Sequence, residues 1–502
     1  MSVFQHLPLG QRIPPSPHAV SCSLPTMQDV RGYEEKAPET LQHLTSGYPR
    51  FVVSPFTRKL GAHLLAVTPE LAGKTLWLTS SPRMAHALAA QLGSSPVAVR
   101  VFSDEGLYGV AHGASAEVSA RAKTFLQNVG GFMSSREAED HLVRLGLIPA
   151  AEKEATFPGD AAAEVQRMLH HAFPDTTDSD VLLATCGMNA IYAAFRASAE
   201  LQANRGRTVW IQLGWLYLDT IAILKKFTRT PTDYVYIRDP LDREGIERLF
   251  TRHGHQIAGV IAELPTNPLI QTPDLAALSE LCRAHGAHLL LDPSVASPFN
   301  LPVLRTCDLV VSSLTKYCGS EGDLTAGAIA VNPKSPDAAE LRARALLELE
   351  PVYPRDLARL AHQIGETEAV VARINATTAR VAAFLEQHPK VRDVFWSLHP
   401  ESRENYLRIA RTPDATGGMI TFTVRGEMEP VYDRLRLPKG PSFGMKTTLI
   451  CPFMYLAHYD LVTTPAGVAE LAASKLDPDL LRLCCGTEPA EDIIDALAEA
   501  LG

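Results

Sequence analysis

Residues 308–332 read DLVVSSLTKYCGSEGDLTAGAIAVN. The run Asp308-Leu309-Val310-Val311 has the branched apolar make-up of a buried strand. It breaks into the small hydroxyl residues Ser312, Ser313 and Thr315 and presents one lysine, Lys316. The chain loops through Gly319 and Gly322 and returns as a second strand, Gly327–Val331. Lysines are usually solvated, so one at the end of a buried strand stands out. Burial depresses an ammonium pKa, and an amine so depressed is the nucleophile that condenses with a carbonyl.

Upstream, Ala287-His288-Leu289-Leu290-Leu291 is a second apolar run, and it closes on Asp292. A strand ending in a carboxylate, followed by a strand ending in a lysine, is what a pyridoxal phosphate site needs. One residue pairs with the pyridinium nitrogen and the other forms the imine. Asp292 and Lys316 are the expected holders of that cofactor, and Lys316 the expected catalytic residue.

Working outward, residues 161–335 alternate strands and helices. Helix Ala161–His171 precedes strand Val181–Ala184, and helix Asn189–Gln202 follows a break at Cys186-Gly187. Strands are then expected at Thr208–Gln212, Tyr234–Ile237, Ala258–Ala262, Ala287–Leu291 and Leu309–Ser312, with helices Leu218–Phe227, Asp242–His253 and Pro273–His285 between them. That rhythm predicts an α/β fold with a mostly parallel sheet, whose ligands lie beyond the carboxyl ends of the strands. Gly187, Asp292 and Lys316 all fall at such ends. Residues 336–502 read as an α+β domain: long helices over Asp337–Glu350 and Asp356–Gln387, strands Gly418–Val424, Thr448–Ile450 and Leu480–Cys484, and a closing helix Ala490–Leu501. Residues 1–160 read as a mixed segment. Pro14, Pro15, Pro17 and Pro25 exclude regular structure at its start. Strands are expected at Thr75–Leu78 and Val97–Phe102, and helices at Ser81–Leu92 and Ser115–Asn128.

Composition narrows the class. With 502 residues the chain exceeds one core. A net charge of −9 leaves no basic footprint for nucleic acid. No apolar run approaches the ~18–20 residues of a membrane span, and no signal peptide is evident. The eight cysteines show no CxxC spacing; reduced cytosolic thiols and no metal site are the expectation.

Around the lysine and aspartate the remaining candidates fall into place. Gly187 and Met188 open a helix whose first N–H groups lack internal partners and suit an anion. With the Ser313 and Thr315 hydroxyls they form the expected phosphate site, although a glycine before a helix is more often just a turn. Trp215, in Gln212-Leu213-Gly214-Trp215-Leu216-Tyr217, is placed to stack on the pyridine ring, with a core role as the plain alternative and Tyr217 as fallback. Pro265-Thr266-Asn267-Pro268 reads as a rigid extended turn in which Asn267 donates to the ring hydroxyl. Arg482, in Leu480-Leu481-Arg482-Leu483, must be paired if buried, by an internal carboxylate or by a substrate carboxylate held bidentately.

Together these pieces resemble the Cys/Met-metabolism family of pyridoxal-phosphate enzymes, with the type I aminotransferase-like fold. The likeness rests on Gly187-Met188, PTNP, the aspartate strand, SSLTKY and LLRLCCG over about residues 161–502. IPPSPHAVSCSLPTMQDVRGYEE (13–35), SGYPRF (46–51) and KGPSFGMKTTLICPFMYLAHY (439–459) resemble the longer fungal-type cystathionine γ-synthases. The resemblance implies γ-replacement on an O-acyl homoserine, with cysteine as nucleophile, in transsulfuration and methionine biosynthesis. A γ-lyase, a sulfhydrylase, a carbon–carbon bond-forming relative or a non-catalytic descendant stand as alternatives. It also implies amino-acid substrates, a cytoplasmic homodimer or homotetramer, an N-terminal segment integral to the enzyme, and a substrate site of Arg482 with Ser442 from KGPSFG. Three departures stand out. Cys186 replaces the usual Ser or Thr before Gly-Met. Trp215 replaces a stacking tyrosine. Ala155-Thr156-Phe157 stands where a Tyr-x-Arg pair is common.

Overall fold

The computed structural model describes residues 3–49, 51–93 and 97–502. The proline-rich start is limited to a two-residue antiparallel pairing of Arg12–Ile13 with Ser21–Cys22. Helix α1 (Met27–Glu34) begins at a capping box, with Thr26 and Asp29 each accepting from the other's backbone N–H. Its buried side, Met27 and Val30, packs into a cluster with Phe422, Tyr432 and Leu483, some four hundred residues away in sequence.

A three-stranded antiparallel sheet follows, ordered β1-β3-β2, from β1 (Lys74–Leu78), β2 (Val99–Asp104) and β3 (Leu107–Gly113). The sequence pattern hides β3, the central strand, because glycines interrupt it. Gly109 is required there: a Cβ would lie 2.3 Å from the Trp77 carbonyl oxygen. Helix α2 (Ala116–Val129) is capped by Ser115, whose side chain accepts from Val118 N, and ends at Gly130 with φ +68°. A Cβ on Gly130 would meet Cys186 Sγ at 2.4 Å and Asn189 N at 2.7 Å. The last turn of α2 therefore rests directly on the start of α3 (Gly187–Ala203).

The larger sheet has seven strands: β4 (Val181–Ala184), β5 (Val209–Leu213), β6 (Tyr234–Ile237), β7 (Ile257–Glu263), β8 (His288–Asp292), β9 (Leu309–Ser313) and β10 (Gly327–Val331), in the order β4-β10-β9-β8-β7-β5-β6. Every residue of β7, β8 and β10 is buried, which explains their near-continuous apolar runs. Only β10 runs against the others. Helix α4 (Leu218–Phe227) follows β5.

The expected helix over Asp356–Gln387 is two helices, α5 (Pro354–Ile364) and α6 (Thr367–Gln387), broken at Gly365. A four-stranded antiparallel sheet, ordered β11-β12-β14-β13, comprises β11 (Val391–Trp396), β12 (Met419–Val424), β13 (Leu449–Pro452) and β14 (Leu481–Cys484). The alternation that would announce β11 is spoiled by a register shift between Val391 and Asp393. The first 160 residues are fastened to the rest through Arg136. It is fully buried and reaches Glu154 at 2.6 Å, Asp356 at 2.9 Å and Asp323 at 3.5 Å.

Candidate active site

Lys316 follows the carboxyl end of β9, is 6% exposed, and donates from Nζ to Ser442 Oγ at 2.7 Å. The Tyr48 and Phe443 rings lie over the same nitrogen, with centroids at 4.5 and 4.8 Å. Ser442 is also tied to the second cation, since Arg482 Nη2 donates to its carbonyl oxygen at 3.2 Å. Among the described residues no carboxylate pairs with Arg482. Its guanidinium lies over Phe453 at 4.5 Å and Phe443 at 5.5 Å. The loop carrying Ser442 is pinned on the far side, where Tyr317 N donates to the Gly444 carbonyl at 2.6 Å and Tyr317 OH to the Val295 carbonyl at 2.7 Å.

These groups open onto one cavity of about 370 Å3. Asp292 lines it from the end of β8, directly across from Glu263 at the end of β7. Burial raises both carboxyls, Asp292 to about 6 and Glu263 well above the usual range. Two adjacent buried carboxylates cannot both ionise at low cost, so Glu263 keeps its proton. It accepts Tyr217 N at 2.5 Å, while Asp292 accepts Ser294 N at 2.8 Å. Asn267, from a turn with cis bonds before Pro265 and Pro268 rather than an extended one, lines the same cavity. Its buried Oδ1 has no partner among the described residues.

At the other end stands the N-terminus of α3. Its N-cap, Cys186, makes no side-chain cap bond, so the first amides of the helix are left for an anion. Gly187, Met188 and Ser313 line the cavity here. Gly187 lies flush against β9, for a Cβ would meet that of Ser313 at 2.8 Å. The set fits pyridoxal phosphate: an amine, a buried carboxylate that a pyridinium would hold ionised, an unpartnered amide oxygen and an uncapped helix start. Lys316, Asp292, Asn267, Gly187, Met188 and Ser313 could hold it.

Two expected contacts are not brought to the cavity. Trp215 packs into the wall behind it, among Phe453, Met454 and Tyr236, and its Nε1 donates to His458 Nε2 at 3.2 Å. Burial lowers His458 to about 4, so the imidazole stays neutral and accepts. Two residues further along the same turn, Tyr217 faces the cavity. Thr315 points away, its hydroxyl accepting from Ala326 N at 3.1 Å. Cys186 lies behind the helix start with its thiol 3.8 Å from the Gly130 carbonyl.

Sequence reasoning missed the part played by the first 160 residues. Tyr33, Glu34, Lys36, Tyr48, Lys123 and Gln127 all line the cavity. A signal was present for one of them: SGYPRF contains Tyr48-Pro49-Arg50, a Tyr-x-Arg spacing far upstream of Ala155, where the pair is expected. Arg50 lies outside the described residues. The sequence does not single out Glu263, since nothing local announces its pairing with Asp292.

Comparison with known proteins finds relatives along most of the chain. The family model for Cys/Met metabolism PLP-dependent enzymes matches residues 175–502. Among curated relatives, the L-2-amino-4-chloropent-4-enoate dechlorinase/desaturase of Streptantibioticus cattleyicolor is 39% identical over 488 residues, 97% of each chain. The cystathionine gamma-synthase of Neurospora crassa is 29% identical over 329 residues, 64% of this chain and 52% of that one. Among solved structures, cystathionine gamma synthase from Xanthomonas oryzae pv. oryzae in complex with cystathionine superposes with a TM-score of 0.58 at 21% identity, covering 70% of this chain and 91% of the other.

Proposed function

The chain belongs to the Cys/Met-metabolism family of PLP-dependent enzymes, and from that premise we propose that it expels a leaving group from the γ-carbon of an L-α-amino acid. The observation that carries this reading is the Lys316–Ser442–Arg482 arrangement. An amine and a guanidinium are held by one residue, at 2.7 Å through its hydroxyl and 3.2 Å through its carbonyl. Arg482, which pairs with no carboxylate among the described residues, takes that of the substrate. Pyridoxal phosphate, when bound, supplies the electron sink that acidifies the substrate's carbon-bound hydrogens. Asp292 keeps a positive charge on the ring nitrogen, and Glu263 holds the one proton of the buried pair. The Lys316 amine, once released from the cofactor, would be the base that moves a proton at the α- and β-carbons. The γ-substituent leaves with the electron pair of its bond. Phe443 and Tyr48 cover the amine and limit water around it.

The fate of the γ-carbon separates two readings. In the first, O-acyl homoserine loses its acyloxy group and cysteine replaces it, giving cystathionine; the likeness to the Neurospora crassa synthase supports it. In the second, the γ-group leaves without replacement. The whole-length likeness to the dechlorinase/desaturase favours this, since chlorine stands on the γ-carbon of the amino acid it is named for. The test is to incubate cofactor-loaded enzyme separately with O-acetylhomoserine and 2-amino-4-chloropent-4-enoate, with and without cysteine, and to follow acetate, chloride and cystathionine. Release of either leaving group supports γ-chemistry, and cystathionine selects replacement. No release from any γ-substituted amino acid ends the proposal.

A further inference from the structure

Beyond the Lys316–Arg482 end, the cavity carries a second set of charges, all from the first 160 residues. Glu34 closes α1, Lys36 follows it, and Lys123 stands on α2; all three line the cavity. Lys36 is steadied by the Tyr33 carbonyl at 2.9 Å, with its ammonium 4.6 Å from the Tyr33 ring centroid. Glu34 and Lys123 have neither a hydrogen bond nor an ion pair among the described residues, although each is drawn partly out of water and feels the other's charge. Burial raises the Glu34 carboxyl to about 7 and lowers the Lys123 ammonium. A half-buried carboxylate and ammonium that attract each other without a direct bond leave hydrogen-bonding capacity facing the cavity, which a ligand carrying both complements can take up.

We propose that Glu34, Lys36 and Lys123 form a subsite for the zwitterionic head of a second α-amino acid, the carboxylate on the two lysines and the ammonium on Glu34. The carboxylate in the cluster argues against a phosphate there, since phosphate would meet Glu34 as a like charge. The first substrate already has a partner for its carboxylate in Arg482, and its amine would go to the cofactor that Lys316 holds, so the charges of this second set are left for another amino acid. This rests on the γ-chemistry proposed above and names its second substrate: an amino acid whose side chain is the nucleophile. With a thiol, the Cγ–O bond to the acyloxy group breaks and a Cγ–S bond forms. The carboxylate leaves with the bonding pair and the thiol proton is released.

The test compares cysteine with propanethiol, a thiol without the zwitterion, as nucleophile toward O-acetylhomoserine. The native enzyme should favour cysteine, and Glu34→Gln and Lys123→Gln should each reduce that preference about tenfold, as expected for loss of one charge-assisted contact. No preference in the native enzyme, or an unchanged preference in both variants, overturns the subsite. So does a loss confined to cofactor affinity, which would assign the lysines to phosphate. If no γ-group is released at all, the γ-chemistry fails, and the subsite is then judged by binding alone. Enzyme with its cofactor fixed by borohydride is titrated calorimetrically with S-methylcysteine. Binding about tenfold weaker in both variants supports the subsite; equal binding overturns it.

Discussion

Ser442 adopts φ +84°, a left-handed conformation that costs a residue with a Cβ roughly 1–2 kcal/mol. The strain is sustained because its hydroxyl and carbonyl face Lys316 and Arg482. Ser442→Gly should therefore stabilise the protein by up to about 1 kcal/mol yet lower turnover as Ser442→Ala does, measured by urea unfolding alongside steady-state kinetics. Equal stability in the two variants would remove strain from the account. The Asp292–Glu263 pair predicts a pH dependence of the cofactor-free protein. Both folded-state pKa values are raised by burial, so the stability they contribute is complete below about pH 4 and is lost as pH rises through about 6 and beyond. Asp292→Asn should flatten that fall in a thermal-unfolding series from pH 5 to 8, while the loaded variant loses most turnover. Burial also separates Trp215 from Tyr217. Trp215→Ala should cost about 3–5 kcal/mol of stability, whereas Tyr217→Ala should chiefly loosen the cofactor by roughly 1 kcal/mol, read by urea unfolding and cofactor titration.

At the scale of elements, the site depends on where α2 ends. Gly130 stops the helix at φ +68° and lets its last turn touch Cys186 and Asn189. That contact sets Gln127 and Lys123 on the cavity wall. Gly130→Val adds both a left-handed penalty and a clash. It should destabilise by about 2–4 kcal/mol and weaken cofactor binding, because the start of α3 must shift; equilibrium unfolding and a cofactor titration check both. A Gly61→Ala control, where nothing lies within 4 Å of the added Cβ, should leave cofactor binding unchanged. The element pattern also explains which strands were legible. β7, β8 and β9 are apolar runs buried on both faces. β3 and β11 carry required glycines or a register shift, which erase the alternation a reader relies on.

Across the whole molecule, the buried Arg136 holds distant segments together, with Glu154, Asp323 and Asp356 as its partners. Arg136→Met takes the cation from Asp356, while Glu154 keeps Arg355 and Asp323 keeps Arg359, and the buried carboxylate left behind should cost about 3–5 kcal/mol. Limited proteolysis should then cut first within residues 1–160, and cofactor retention should fall, because Tyr48, whose ring lies over Lys316, belongs to that part. The sequence alone determined the strand–helix alternation, the lysine and aspartate at strand ends, the glycine at the helix start and the arginine in an apolar strand. These are local patterns of burial and period, readable one element at a time. Only the tertiary structure decided that Ser442 joins Lys316 to Arg482, that Glu263 faces Asp292, that Tyr217 rather than Trp215 meets the cavity, and that Glu34, Lys36 and Lys123 line it too. Those facts depend on register between strands and on contacts hundreds of residues apart, and no window along the chain contains both partners.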